Sequence, residues 1–184
     1  MKLRPVILFV CLLSIVYSCN EEAIPKPKAQ IRLEYPEGKN VPLETENFKF
    51  EYNEFARADI NKNSAFTLEY PEMKGAIFLS YKKVEGDIDK LIIDAKKLSY
   101  EHAIKADNIV EQPYINPDKK VYGALFEVQG NAASQSQFFV TDSTEHFLTG
   151  SVYFYAKPNY DSILPAAAYL QNDMRRIIET LEWK

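Results

Sequence analysis

The sequence predicts an α+β domain, a mostly antiparallel β-sheet accompanied by two long helices. Three observations predict it. Short runs in the first half alternate apolar and charged residues with period two, the mark of strands buried on one face. Two longer stretches, about Asp87–Asp107 and Ser162–Glu182, set apolar residues three and four apart, as an amphipathic helix does. The order along the chain is strands, a helix, more strands and a final helix.

The N-terminus precedes that domain. Met1-Lys2-Leu3-Arg4 carries two positive charges, and Pro5–Tyr17 is an apolar run of thirteen residues. As a helix rising about 1.5 Å per residue the run spans about 20 Å, short of the roughly 30 Å hydrocarbon core of a bilayer. It therefore predicts a signal peptide and not a membrane span. The run ends at Val16-Tyr17-Ser18-Cys19, with an aliphatic residue and then a small one before a cysteine. That spacing resembles a lipoprotein-processing site, although Tyr17 is bulkier than the usual pattern. Residues 1–18 are expected to be removed and Cys19 to become the lipidated first residue, held to the membrane by acyl chains such as palmitate. The alternative is an ordinary secretory signal with an incidental Cys19.

The other cysteine, Cys11, lies in the segment to be removed, so no thiol remains for a disulfide in a compartment that would permit one. Lys2 and Arg4 leave with it, and the 20 basic and 26 acidic residues that remain give a net charge of −6. No lysine- or arginine-rich patch occurs, which argues against nucleic acid as a partner. Residues 19–30, acidic and then interrupted by Pro25 and Pro27, read as a tether, with Glu21-Glu22 either a sorting signal or a solvated spacer. Residues 31–184 are long enough for one domain.

The domain opens with alternating runs at Ile31–Tyr35, Phe48–Tyr52 and Phe66–Tyr70, each expected as a half-buried strand. Leu33-Glu34-Tyr35-Pro36-Glu37 recurs as Leu68-Glu69-Tyr70-Pro71-Glu72, with proline expected to end both strands. A strand at Ala76–Val84 follows the turn at Lys74-Gly75. The helix at Asp87–Asp107 has Asp87 as its N-cap and Ile88, Leu91, Ile92, Ala95, Leu98, His102, Ala103 and Ala106 as its stripe. His102 on that stripe reads as a packed histidine, since no second histidine or cysteine stands at ligand spacing; no metal is expected. Strands at Ile109–Ile115 and Lys120–Gln129 flank a turn at Asn116-Pro117-Asp118, with Tyr122, Ala124, Phe126 and Val128 sharing a face.

Gly130–Ser136 is small and polar, but one glycine and no Gly-Lys-Ser/Thr ending make no phosphate cradle, so no nucleotide cofactor is expected. Its small side chains either let backbone approach another surface or simply connect a hairpin. After a strand at Gln137–Thr141, Asp142-Ser143-Thr144-Glu145-His146 places a serine, an aspartate and a histidine close in sequence. Triads are assembled from distant positions, and no Gly-x-Ser-x-Gly elbow is present, so a polar turn is the expectation and catalysis is not. Phe147–Ala156 forms the last long strand, with a bulge or a close contact at Gly150. Apolar residues on both its faces mean either a covered central strand or an exposed aromatic strip. The final helix is expected to be capped by Asp161 or Ser162, to hold Pro165 in its first turn, and to bury Leu170, Met174, Ile177, Ile178 and Leu181, with Trp183 closing the core.

In element order the chain resembles the Mog1/PsbP-like sandwich. Four runs carry a more specific likeness: Leu33–Pro36, Leu98–His102, Gly130–Phe138 and Val152–Leu164 resemble the GldD family of gliding-motility lipoproteins, over essentially the whole mature chain. The resemblance implies a non-enzymatic envelope lipoprotein, periplasm-facing, that assembles or stabilises the gliding machinery and supports type IX secretion, with other gliding lipoproteins such as GldJ as partners. It brings no catalytic residue and no cofactor. Asp142-Ser143-Thr144 and Asp161-Ser162-Ile163 resemble the tripeptide used for envelope O-glycosylation in related bacteria, which implies glycan at Ser143 or Ser162.

Two functions remain open. An assembly factor predicts an exposed patch at Ala132–Phe138 and Tyr153–Tyr160, through Asn131, Ser134, Gln135, Gln137, Tyr153, Tyr155, Asn159 and Tyr160, and no deep polar pocket. A ligand-binding or hydrolytic lipoprotein predicts a concave site with converging polar groups around His146 or His102.

Overall fold

A computed structural model describes residues 33–60, 65–101, 105–155 and 159–184. Cys11, Cys19, the tether at 19–30 and His102 lie outside the described residues. Among those described, ten strands form two antiparallel sheets and two helices pack on them, an α+β fold dominated by sheet. The smaller sheet has the order β1-β2-β10, from Asn40–Glu44, Phe48–Asn53 and Glu182–Trp183. The larger has the order β3-β4-β5-β9-β8-β7-β6. Its strands are Arg57–Ile60 (β3), Ala65–Tyr70 (β4), Gly75–Lys83 (β5), Ala106–Asn116 (β6), Val121–Gly130 (β7), Ser136–Thr141 (β8) and His146–Phe154 (β9). Helix α1 is Ile88–Glu101 and helix α2 is Tyr160–Thr180.

Alternation along the strands divides the larger sheet into two faces. Ile77 and Leu79 of β5, Leu148 and Val152 of β9 and Val140 of β8 point to the main core. There they meet Leu43, Phe48 and Phe50 of the smaller sheet and Leu170, Met174 and Ile177 of α2. On the other face α1 covers the β6–β8 side and the start of β9, where Leu91 joins Ala124, Phe126, Phe139 and Phe147 in a second, smaller core. Strands β7 and β8 are thus covered on both sides, and all six residues of β8 are buried. Edge strand β6 carries Pro113, tolerated where the missing donor need not meet a neighbour.

Several elements depart from the sequence expectation. Leu33–Lys39 is not a strand. Tyr35 packs edge-on against Tyr169 of α2 at 5.5 Å, and the Pro36 carbonyl accepts the Tyr169 hydroxyl, so the segment is held by the helix and not by a ladder. Only the second Leu-Glu-Tyr-Pro copy ends a strand, with Pro71 opening a short 3-10 turn. Strands β1 and β3 were not legible: β1 contains Pro42, and β3 is exposed at every residue and so lacks alternation.

Helix α1 cannot reach Asp107, because Ala106 already opens β6. Leu98 is 47% exposed and Ser99 takes its place on the buried face. The Asp87 carbonyl accepts the Leu91 N–H, but its carboxylate accepts from Glu85, outside the helix. Helix α2 is capped by Asn159, not by Asp161 or Ser162, and Pro165 lies beyond the first turn. The Ser162 hydroxyl donates to the Asn159 carbonyl. The buried stripe of α2 is as expected, while Trp183 is only half-buried. At Gly150 the close contact holds: β9 pairs without a register shift, and a Cβ there would stand 2.1 Å from the Phe138 ring.

Candidate functional site

The residues expected to form one contact surface fall into three groups. Tyr153 and Tyr155 sit on the face of β9 that α1 leaves uncovered, and Tyr155 is 61% exposed. Register places Ser151 of β9 beside Phe78 of β5, and Phe78 beside Thr67 of β4. Phe78, 39% exposed, meets Tyr153 edge-on at 5.7 Å. Partial burial raises the Tyr155 phenol above its ordinary value, helped by the Glu69 carboxylate. Among the described residues no helix lies over this β4-β5-β9 face, so its aromatic side chains meet solvent.

Asn131, Asn159 and Tyr160 form the second group. The Asn131 side chain accepts the Tyr160 N–H at 2.9 Å and thereby ties the loop after β7 to the first turn of α2. Burial, then the Glu127 and Asp107 charges, raise the Tyr160 phenol. Ser134, Gln135 and Gln137, the third group, are buried and present nothing to a partner in this conformation. The Gln135 amide donates to the Ala132 carbonyl, and Gln137 accepts the Ser99 hydroxyl at 3.1 Å beneath α1. The loop is therefore folded inward. Gly130, at φ +107°, makes the close approach its size allows, with Asp107 backbone where a Cβ would stand.

Asp142–His146 is the turn between β8 and β9. Burial by itself would raise Asp142, but the backbone N–H groups of His146, Thr144 and Glu145 and the Thr144 hydroxyl outweigh it and bring the carboxyl down to about 2. Ser143, exposed and at φ 70°, donates its N–H to Thr141 Oγ1. His146 points away from this serine: its Nδ1 meets the Tyr81 hydroxyl at 2.9 Å, and its ring stacks on Trp183 at 5.1 Å. The three residue types that suggest a triad thus turn a corner and pin the C-terminal strand. Ser143 and Ser162 are both exposed.

A feature without any motif lies on the other side of the molecule. An open cleft of about 510 Å³ runs between the 35–40 segment, the end of β2 and α2. Asn53 donates to the Tyr169 hydroxyl at 2.8 Å and to Asp173 Oδ1 at 3.3 Å. Asp173 Oδ2 and the Tyr70 hydroxyl are both enclosed, and the hydroxyl is the group within reach of the carboxylate. Burial raises the Asp173 carboxyl above its ordinary value against the opposing pull of Tyr70, Asn53 and Arg176. Gly38 is needed here, since a Cβ would fall 2.0 Å from Asn53 Oδ1. The sequence signal is slight but real: Asp173 stands with Leu170, Met174 and Ile177 on the helix stripe, a carboxylate where an apolar residue belongs. Among the described residues no group of His, Cys, Asp and Glu has the arrangement to hold a metal.

Compared with known proteins, residues 20–183 match the family model described as "Gliding motility lipoprotein GldD". No curated protein matches the chain.

Proposed function

Because the chain belongs to the gliding motility lipoprotein GldD family, we propose that it is a non-enzymatic, lipid-tethered factor that assembles or stabilises the gliding machinery and its associated type IX secretion. Family membership accounts for a lipid-anchored place in the envelope and a part in gliding motility. Among the described residues no helix is long and apolar enough to cross a membrane. In this reading Cys19 carries the lipid, residues 19–30 lift the domain off the bilayer, and the domain faces the periplasm.

The observation that carries the reading is the uncovered half of the larger sheet. Phe78, Tyr153 and Tyr155 offer aromatic area beside the polar Thr67 and Glu69, the composition of a protein contact with a polar rim. Another gliding lipoprotein such as GldJ is the kind of partner this face suits. Glycan on Ser143 or Ser162 is compatible with their exposure, and the intact mass of the native protein would report it. A photoreactive residue in place of Phe78 or Tyr155, in gliding cells, is expected to capture an envelope protein. One at Ile93, exposed on α1, is expected to capture none. Capture from Ile93 alone would remove the assignment of this face.

The reading as a ligand-binding lipoprotein draws its support from the Asp173 cleft, and not from His146 or His102. The two functions are compatible, because the cleft and the open sheet face use different residues.

A further inference from the structure

Leu98 belongs to the apolar stripe of α1 and is nonetheless 47% exposed. It stands two helical turns beyond Leu91, so the two share a flank. The opposite flank shows which one. Lys96 Nζ donates to Glu111 Oε1 at 2.7 Å and the Tyr100 hydroxyl to Glu111 Oε2 at 2.9 Å, so that side faces edge strand β6. The Leu91–Leu98 flank faces β9 and the uncovered half of the sheet, and Leu91 shares its core there with Phe147. Register gives the level of Leu98. Its neighbour Ser99 donates its hydroxyl to Gln137 at 3.1 Å, Gln137 pairs with Ser151, and Ser151 pairs with Phe78. Two turns of α1 advance about 10 Å, or about three residues of strand, which carries β9 from Phe147 to Thr149 and Ser151. Side chains so small leave Leu98 uncovered. The result is a trough along β9, with Thr149 and Ser151 as its floor and Leu98 as one wall. Phe78, edge-on to Tyr153 at 5.7 Å, is the other.

We propose that this trough takes an amphipathic helix of another protein, laid beside α1 with its apolar face on Leu98, Phe78 and Tyr153. The inference rests on the reading of the open face as a protein contact and adds the kind of partner. Width favours a helix. Strands β3, β4, β5 and β9, about 4.8 Å apart, leave about 19 Å of sheet beside α1. A helix about 10 Å across, packed about 8–10 Å from its neighbour, fits over β9 and β5. A strand added to the free edge at β3 would lie beyond β4 and β5 and could not reach Leu98. Charge narrows the partner further. Asp94, Leu98 and Glu101 stand four and three apart along α1, all exposed. Their complement is a helix whose apolar face is edged by lysine or arginine.

Photoreactive residues in place of Leu98 and, separately, of Phe78 test this in gliding cells, with the attachment points on the captured protein mapped by mass spectrometry. Both are expected to capture the same protein, at positions about three, four or seven residues apart in one segment edged by lysine or arginine. Leu98→Lys, at an exposed position where the melting curve should not change, is expected to reduce capture from Phe78 about tenfold. Asp94→Lys is expected to reduce it about two- to fivefold. Capture from Phe78 but not from Leu98, or attachment points alternating as along a strand, would overturn the helix while the face remained a protein contact. Capture from Phe78 unchanged in both variants would do the same. A second copy of this chain, or lipid, attached at Leu98 would overturn the proposed occupant. No capture from either position would overturn the helix and, with Tyr155 silent too, the face itself.

Discussion

Asp173 shows how much a single residue can depart from its surroundings. It shares the inward side of α2 with Leu170, Met174 and Ile177, and Asn53 meets only one of its oxygens. Its carboxyl is raised, so the folded chain holds that proton more tightly than the unfolded chain does. Linkage gives the sign: stability falls as pH rises above the ordinary carboxylate value, about 3.9, and the loss is complete once pH passes the folded value. At neutral pH the charged Asp173 therefore opposes folding. Asp173→Asn keeps an acceptor for Asn53 and supplies a donor for Tyr70. It is expected to stabilise the protein by about 1 kcal/mol, a rise of about 2–4 °C in Tm. Thermal unfolding at pH 7 measures it, and a lower Tm would mean that Asn53 and Tyr70 satisfy the charged carboxylate in the folded protein.

At the scale of elements, the β8–β9 hairpin depends on another carboxylate used in the opposite way. Asp142 Oδ1 accepts the N–H groups of Thr144, Glu145 and His146 at 3.0, 2.9 and 2.8 Å. Its folded pKa of about 2 lies below the ordinary value, so its contribution is present above about pH 4 and is lost as pH falls toward 2. The group is largely solvated, and screening reduces the effect. Asp142→Asn should lower the urea midpoint at pH 7 and flatten its pH dependence, with the two proteins converging near pH 2. Parallel midpoint curves down to pH 2 would count against this role. The same hairpin marks what the sequence could reveal. Its strands were legible because Gln137–Thr141 and Phe147–Phe154 are long, apolar and bounded by a polar turn. Strands β1 and β3 were not, since four exposed residues or a strand containing proline carry no alternation. The helix stripes were legible from Ile88 to Ala95 and along the final helix, but Ser99 replaces Leu98, a choice made by Gln137 on a strand distant in sequence, and Ala106 belongs to β6. Exposure was half legible: Tyr155 is exposed and Tyr153 lies on the same open face, but polarity suggested exposure for Ser134, Gln135 and Gln137, whose partners bury them. The cleft was illegible because Tyr35, Asn53 and Asp173 converge only through tertiary packing.

At the scale of the whole molecule, the question is what makes two sheets one unit. The last residues do much of it. Trp183 pairs with Phe48 across the smaller sheet and meets its ring edge-on at 6.3 Å. On its other side it stacks at 5.1 Å and 5° on His146 of the larger sheet, and its indole N–H donates to the Lys120 carbonyl at 3.0 Å. Leu181, just before it, is wholly buried in the shared core, and the Lys184 N–H closes onto Asn47. Because Trp183 is the chain's one tryptophan, its fluorescence reports the docking of one sheet on the other. A shared core predicts that fluorescence and far-UV circular dichroism unfold together in guanidinium, as two-state domains do. His146→Ala removes the stacked ring and leaves the Tyr81 hydroxyl without its partner in a buried position. It should cost about 2 kcal/mol, with both probes shifting by the same amount. A fluorescence transition that precedes the loss of circular dichroism would instead show the C-terminal strand detaching alone. The smaller sheet would then be an appendage that opens independently of the larger one.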